Sequence, residues 1–256
     1  MQIKIILILK RIIELLKLKP QNAITLFYLL YLNKYDYKKC NYDEILSLGY
    51  NCEISYRLLF FFSGYLNHFL FSWSNINSRN ALILALQNLD NFSESEYTVL
   101  PWGMLKNEKY DINFHSRYKN RLIDKNGDYT KNVPLAIKEL KSRLKHLAEK
   151  TNNIIRSNKN ILFIIKLEYT NFNEDINFIK ELNTILNEMH KNNNYKLLVV
   201  LSKNNYPKEL IQKFINNCPE NVSCETVSEF ADIQKSKLSG DIYGWYKILK
   251  KTCKTS

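Results

Sequence analysis

Residues 161–167 read ILFIIKL and residues 197–201 read LLVVL, and these two stretches with the segment between them decide the fold. Both are short and almost wholly apolar, which is typical of strands that are buried on both faces of a sheet. Between them, five Ile and Leu residues recur at helical spacing from Ile176 to Leu186, which predicts a helix over residues 173–189. Together the three segments predict a strand–helix–strand crossover in a parallel sheet.

Further strands and helices are predicted on both sides of this unit. Strands are expected at 45–48 and 222–227, and helices at 53–62, 78–89, 132–157, 207–217 and 241–251. Residues 91–128 show no clear period, so a long irregular loop is expected there. The chain is therefore predicted to form an α/β domain over residues 43–256, with a parallel sheet in three layers.

A helical N-terminal segment and linker, residues 1–42, is predicted to precede this domain. Its first helix is amphipathic, with Lys4, Lys10 and Arg11 on one face and Ile and Leu side chains over much of the rest. Such a helix could pack on the domain or on a partner chain, which we favour, or lie on an anionic membrane. No stretch reaches the ~20 apolar residues of a membrane span, and no signal peptide is expected.

The composition limits the classes of partner and cofactor. The formal net charge of +12 is spread without long basic runs, so nucleic acid is not favoured, and an anionic substrate stays open. The five cysteines include no CxxC pair, which fits reduced thiols in a cytoplasmic protein, with peripheral contact to the inner membrane left open. Without GxGxxG, GxxxxGK[ST] or HExxH, no cofactor or metal is expected.

The sharpest chemical signal is residues 44–62, EILSLGYNCEISYRLLFFF. They predict a buried strand, a tight turn, a cysteine and an apolar helix in that order. A helix N-terminus presents unpaired N–H groups and about half a positive charge, and both favour a thiolate. We therefore expect Cys52 to be a nucleophile with a lowered pKa. The alternative is that Cys52 is a small buried apolar residue.

A base for this thiol is expected among the four histidines. His115 is the best candidate, because it lies in the long aromatic loop within NFHSRYKNR. Arg117 and Arg121 follow it closely and could hold a phosphate or carboxylate, although we favour the simpler explanation that they lie in a solvated loop.

The segments SLGYNCEISYRL (47–58) and FLFSWSNI (69–76) resemble a bacterial domain family of unknown function. Its members are labelled papain-like cysteine peptidases, and the resemblance spans about residues 43–250. Its signature is similar to S-L-G-x-N-C between a strand and a helix, then aromatic–Pro-Phe-Asp-Trp, then a histidine in an aromatic loop.

This resemblance implies a thiol-dependent hydrolase or acyl transferase. Cys52 would attack an acyl carbon, His115 would take the proton, and Asn51 with the helix-start amides would stabilise the oxyanion. Trp73, Arg117 and Arg121 would contact the substrate.

The chain departs from the family pattern at several positions. Ser72 replaces the usual Asp, Leu70 replaces Pro, and Ser116 follows the histidine where an acid or a second histidine is expected. Leu46 occupies the place of the papain oxyanion-hole Gln, and the strand directly before Gly49 favours a flavodoxin-like sheet, as in SGNH esterases, over a papain fold. The alternative function is a non-catalytic binding or accessory domain in surface-glycan assembly.

Overall fold

The computed structural model describes residue 24 and residues 35–63, 65, 68–118, 121–168, 171–232 and 239–254. The predicted N-terminal helical segment, up to residue 34 and apart from residue 24, lies outside the described residues. Among the residues described, no helix is both long and apolar enough to cross a membrane.

The described residues form ten strands and six α-helices, together with 3-10 turns at Tyr37–Lys39 and Leu89–Glu94. The strands are β1 (Tyr35–Asp36), β2 (Glu44–Ser47), β3 (Phe62–Ser63), β4 (Ser74–Ile76), β5 (Tyr97–Val99), β6 (Met104–Asn107), β7 (Ile112–His115), β8 (Ile161–Leu167), β9 (Tyr195–Ser202) and β10 (Val222–Val227). The helices are α1 (Glu53–Phe61), α2 (Arg79–Gln87), α3 (Val133–Ile155), α4 (Phe172–Met189), α5 (Lys208–Asn216) and α6 (Ile242–Thr252).

A four-stranded parallel sheet with the order β10–β9–β8–β2 forms the centre of the domain. In its register, Phe163 of β8 lies between Leu46 of β2 and Leu197 of β9. The predicted parallel pairing of β8 with β9, joined by α4, is confirmed. This unit could be recognised in the sequence because its strands are apolar and buried on both faces of the sheet.

Helices cover both faces of this sheet, which confirms the predicted three-layer α/β fold. On one face, Phe163 and Ile165 pack in a core with apolar residues of α3, α4 and α5. On the other, Leu162 and Ile164 pack in a second core with residues of α1 and α6. The alternation of side chains along β8 separates the two cores, and each buried Leu or Ile contributes about 1.5–3 kcal/mol.

A small antiparallel sheet with the order β4–β7–β6–β5 is inserted between α1 and α3. The prediction of an irregular loop over residues 91–128 is wrong, because β5, β6 and β7 all lie within it. These strands have only three or four residues each, and buried Asn107 and Asn113 interrupt their apolar pattern. A period of two cannot be recognised over so few positions.

Residues 35–42, which belong to the predicted linker, pack on the domain. β1 pairs with β3 in parallel. The Tyr37 ring meets the rings of Phe62 and Tyr65 edge to face, at centroid distances of 5.6 and 5.4 Å. Cys40 and Tyr42 pack against the core beneath α1 and α6.

Candidate active site

Cys52 lies on a tight turn that leads from β2 into α1, where it is the N-cap residue of the helix. Gly49 and Tyr50 in this turn have φ values of +89° and +74°. Space also requires Gly49, because a Cβ there would lie 2.2 Å from the Ile76 Cδ1 atom. A bulky residue such as Tyr50 in the left-handed region costs about 1–3 kcal/mol, and such strain is concentrated at functional sites.

The structure brings the two predicted reacting side chains together. The Cys52 Sγ atom lies 3.6 Å from His115 Nε2, although the two residues are 63 positions apart in sequence. His115 is the last residue of β7 and is exposed, whereas Cys52 is only 6 % exposed. The imidazole therefore lies over a thiol that is otherwise enclosed, within hydrogen-bonding reach of a sulfur atom.

The expected lowering of the Cys52 pKa is wrong in direction. Burial raises the pKa of Cys52 to about 11. A helix N-terminus stabilises a nearby anion by only about 0.3–1 kcal/mol, and the loss of water around a thiolate outweighs this benefit. Cys52 is therefore a thiol at neutral pH, and a thiolate has to be generated during a reaction.

Asn51 supports the helix start with its side chain. Its Oδ1 atom accepts a hydrogen bond from the Glu53 N–H at 3.0 Å. That amide is therefore satisfied and is not available to an oxyanion. The Asn51 carboxamide nitrogen has no hydrogen-bond partner among the described residues, so it is the donor that Asn51 can still offer.

Trp73 belongs to an aromatic group that includes Tyr56, whose backbone N–H donates to the Cys52 carbonyl at 3.0 Å. The rings of Trp73 and Tyr56 meet edge to face with centroids 5.0 Å apart, and Trp73 Nε1 donates to His68 Nδ1 at 2.8 Å. Burial raises the pKa of Tyr56, and the nearby Cys52 adds to the rise. The predicted substrate contact at Trp73 is thus one side chain away from Cys52.

A cavity of about 470 Å³ lies between the end of β7 and the middle of α3, and His115 and Arg117 line it. The guanidinium of Arg117 is paired with Glu139, and its Nη2 also donates to the Tyr118 hydroxyl at 2.8 Å. Arg121 is exposed and is not among the described residues that line the cavity. Of the two predicted arginines, Arg117 is the one that lines the cavity with His115, and it has a carboxylate partner there.

The two serines that depart from the family pattern support local turns. The Ser72 Oγ atom accepts from the Phe69 N–H at 3.0 Å, and the Ser116 Oγ atom accepts from the Tyr118 N–H at 3.1 Å. These hydroxyl groups therefore hold the backbone next to the site, and neither supplies an acid that could orient His115.

The sequence analysis missed a cluster of buried charges directly behind Cys52. The Glu53 carboxylate is completely enclosed and accepts hydrogen bonds from Arg57, Lys166 and Trp245. The signal was present, since Lys166 interrupts the apolar run ILFIIKL and the pair Glu53–Arg57 has i,i+4 spacing. This cluster fixes the first turn of α1 against β8 and α6.

Arg143 is a second residue that the sequence analysis missed. It extends from α3, and its Nη2 atom donates to the backbone carbonyl of His115 at 2.8 Å. Arg143 also lines the cavity. In sequence it is one of several basic residues in an amphipathic helix, and nothing in the pattern distinguishes it from the others.

Comparison with family models, with curated proteins and with solved structures finds no match to this chain. Within the described ranges, no group of three or more His, Cys, Asp and Glu side chains is placed to hold a metal ion. The chemistry that this site offers is that of a thiol, an imidazole, a carboxamide donor and two nearby guanidinium groups.

Proposed function

We propose that this protein is a thiol-dependent hydrolase or acyl transferase with Cys52 as nucleophile and His115 as base. The observation that carries the proposal is the separation of 3.6 Å between Cys52 Sγ and His115 Nε2, at the carboxyl end of a parallel strand. The strained turn at Tyr50 adds support, as does the resemblance of SLGYNC to the peptidase-labelled family.

In the proposed reaction, His115 Nε2 accepts the thiol proton as the sulfur attacks the acyl carbon. Burial raises the pKa of Cys52 to about 11, which favours transfer of the proton to His115 during the attack over a thiolate formed beforehand. The Asn51 carboxamide nitrogen donates to the oxyanion. The imidazolium then protonates the leaving group, and water or an acceptor nucleophile releases the acyl group from Cys52.

The proposal is tested with the purified full chain on a panel of p-nitrophenyl esters and acyl thioesters. Cys52→Ala is expected to abolish turnover, and His115→Asn to lower kcat/KM by about 10²–10⁴-fold. Intact-mass spectrometry should detect an acyl adduct on the wild-type chain that is absent from Cys52→Ala.

Matched controls remove a cysteine and a histidine outside the site. Cys218→Ala and His146→Asn should each stay within about twofold of the wild type, since substitutions away from special features are usually mild. Turnover that survives in Cys52→Ala, or a complete panel with neither turnover nor adduct, would rule out the proposed chemistry.

A non-catalytic binding domain is the second candidate. The burial of Cys52, its raised pKa and the absence of an acid at Ser72 and Ser116 favour it. In that case Cys52→Ser should bind ligand as well as the wild type does, and no acyl adduct should form.

A further inference from the structure

Arg143 differs from Arg117 in the same cavity because it has no carboxylate partner. Among the described residues, its one hydrogen bond is the 2.8 Å contact with the His115 carbonyl, and it forms no ion pair. Arg117 is paired with Glu139, so these two charges cancel. Among the described residues that line the cavity, Arg143 is therefore the guanidinium without a carboxylate partner.

The surroundings of Arg143 suit a bound anion. Arg143 is exposed overall, and the protein atoms around its guanidinium displace enough water to lower its pKa. The apolar side chains of Ala136 and Leu140 form part of the wall, and contact with them strengthens an ion pair by excluding water. A guanidinium group that donates one N–H to a carbonyl still has four N–H groups, and their planar arrangement matches the geometry of a carboxylate.

The position of Arg143 links this charge to the reacting atoms. It holds the backbone of His115, a residue that lines the same cavity and whose Nε2 atom lies 3.6 Å from Cys52 Sγ. A volume of about 470 Å³ is within the usual range of about 300–1,000 Å³ for small-molecule sites. We propose that Arg143 binds the carboxylate of an acyl substrate in this cavity, so that the site prefers acyl groups with a negatively charged far end. This inference rests on the proposed acyl-transfer function of Cys52 and His115.

The experiment compares two esters that differ in this charge, p-nitrophenyl acetate and mono-p-nitrophenyl glutarate. The wild type should favour the glutarate ester. Arg143→Gln removes the charge and keeps a polar side chain, so it should lower kcat/KM for the glutarate ester about 10–100-fold. The acetate ester carries no second carboxylate, so its kcat/KM reports only the contact of Arg143 with the His115 carbonyl and should fall by a smaller factor than that of the glutarate ester. The matched control Lys145→Gln removes an exposed positive charge from the same helix and should preserve the preference.

A second readout does not depend on turnover. Glutarate and inorganic phosphate are each titrated into the wild type and Arg143→Gln, and the rise in Tm is recorded. Glutarate should stabilise the wild type and leave Arg143→Gln unchanged. Phosphate that stabilises as strongly as glutarate would overturn the assignment to a carboxylate.

The outcomes separate this inference from the proposed function. If both esters react with equal efficiency, or if the preference survives in Arg143→Gln, the inference is wrong and the proposed function stands. An equal loss on both esters means that Arg143 only positions His115, which also overturns the inference. If neither these two esters nor the panel of esters and thioesters gives turnover or an adduct, but glutarate stabilises the wild type alone, the anion site stands and the proposed function falls. If no compound reacts and glutarate does not stabilise the wild type, both the inference and the proposed function are wrong.

Discussion

Replacing Glu53 by glutamine should destabilise the protein strongly, although the two side chains have the same shape. The Glu53 Oε1 atom accepts from Arg57 Nη2 at 3.0 Å, from the Ala231 N–H at 3.0 Å and from Trp245 Nε1 at 3.1 Å. Its Oε2 atom lies 3.2 Å from Lys166 Nζ. All three charged side chains are at most 2 % exposed.

The expected magnitude follows from the charges that would remain. In Glu53→Gln the Oε1 contacts can persist, but an NH₂ group now faces Lys166, and two enclosed cations lose their enclosed carboxylate. Among the described residues, Lys166 keeps the half-exposed carboxylate of Glu168 at 3.4 Å and the ring of Phe230, whose centroid is 4.6 Å away. Removal of one partner from a buried ion pair costs about 3–5 kcal/mol, against a total stability of about 5–15 kcal/mol for a typical protein.

Urea unfolding followed by circular dichroism measures this loss. With a slope of about 1–3 kcal/mol per M, the midpoint should fall by at least about 1 M. Glu168→Gln is the control and should change stability by less than about 1 kcal/mol, because that carboxylate is largely solvated. Adding Lys166→Met to Glu53→Gln should recover much of the loss, since an apolar side chain suits the buried position.

Two results would refute this reasoning. A loss below about 1 kcal/mol in Glu53→Gln would mean that water reaches the cluster and screens its charges. A double variant that is no more stable than Glu53→Gln alone would mean that the unpaired charge of Lys166 is not the source of the cost.

Three further predictions concern the turn, a helix cap and the thiols. Gly49→Ala should lower the free energy of unfolding by about 1–3 kcal/mol more than Gly127→Ala does. Both glycines have a positive φ, but only at Gly49 would the added Cβ atom lie close to a neighbouring atom. Burial acts to raise the pKa of Asp241, but hydrogen bonds from two backbone amides outweigh it and hold that pKa below its usual value. Asp241→Ala should therefore cost about 0.5–2 kcal/mol at pH 7 and less as the pH falls through the folded pKa, as urea unfolding at pH 7 and pH 3 would show. With iodoacetamide at neutral pH, Cys40, whose pKa is lowered by a hydrogen bond with a neighbouring thiol, should be alkylated before Cys52; peptide mapping that finds Cys52 first would contradict this order.

The predicted order of alkylation reverses the expectation from sequence, and the reason is physical. The strand–turn–helix around Cys52 is a local pattern, so its position at the helix start could be read from sequence. The exposure of the thiol depends on residues far along the chain, among them His115, which covers it. Sequence reasoning therefore placed Cys52 correctly at the start of a helix and misjudged the direction of its pKa shift.

The contrast between local patterns and long-range contacts also separates the parts of the fold that could be predicted from those that could not. β8 and β9 are buried on both faces and have seven and eight residues, so each is recognisable without knowledge of its partner. β4 has only three residues, and its identity as a strand depends on pairing with β7. Short strands of this kind are defined by tertiary contacts, which a single sequence does not display.

The distance between Cys52 and His115 is set by such tertiary contacts and not by a flexible loop. The Tyr50 carbonyl, two residues before Cys52, accepts from the Ile76 N–H at the end of β4 at 3.2 Å. β4 then pairs with β7, with Ser74 opposite Phe114, the residue before His115. Main-chain hydrogen bonds therefore connect the turn that carries the thiol to the strand that carries the imidazole. Because each step is backbone pairing within or onto a sheet, the two side chains are held in a defined relation without a substrate, which is the preorganisation that a reacting pair requires.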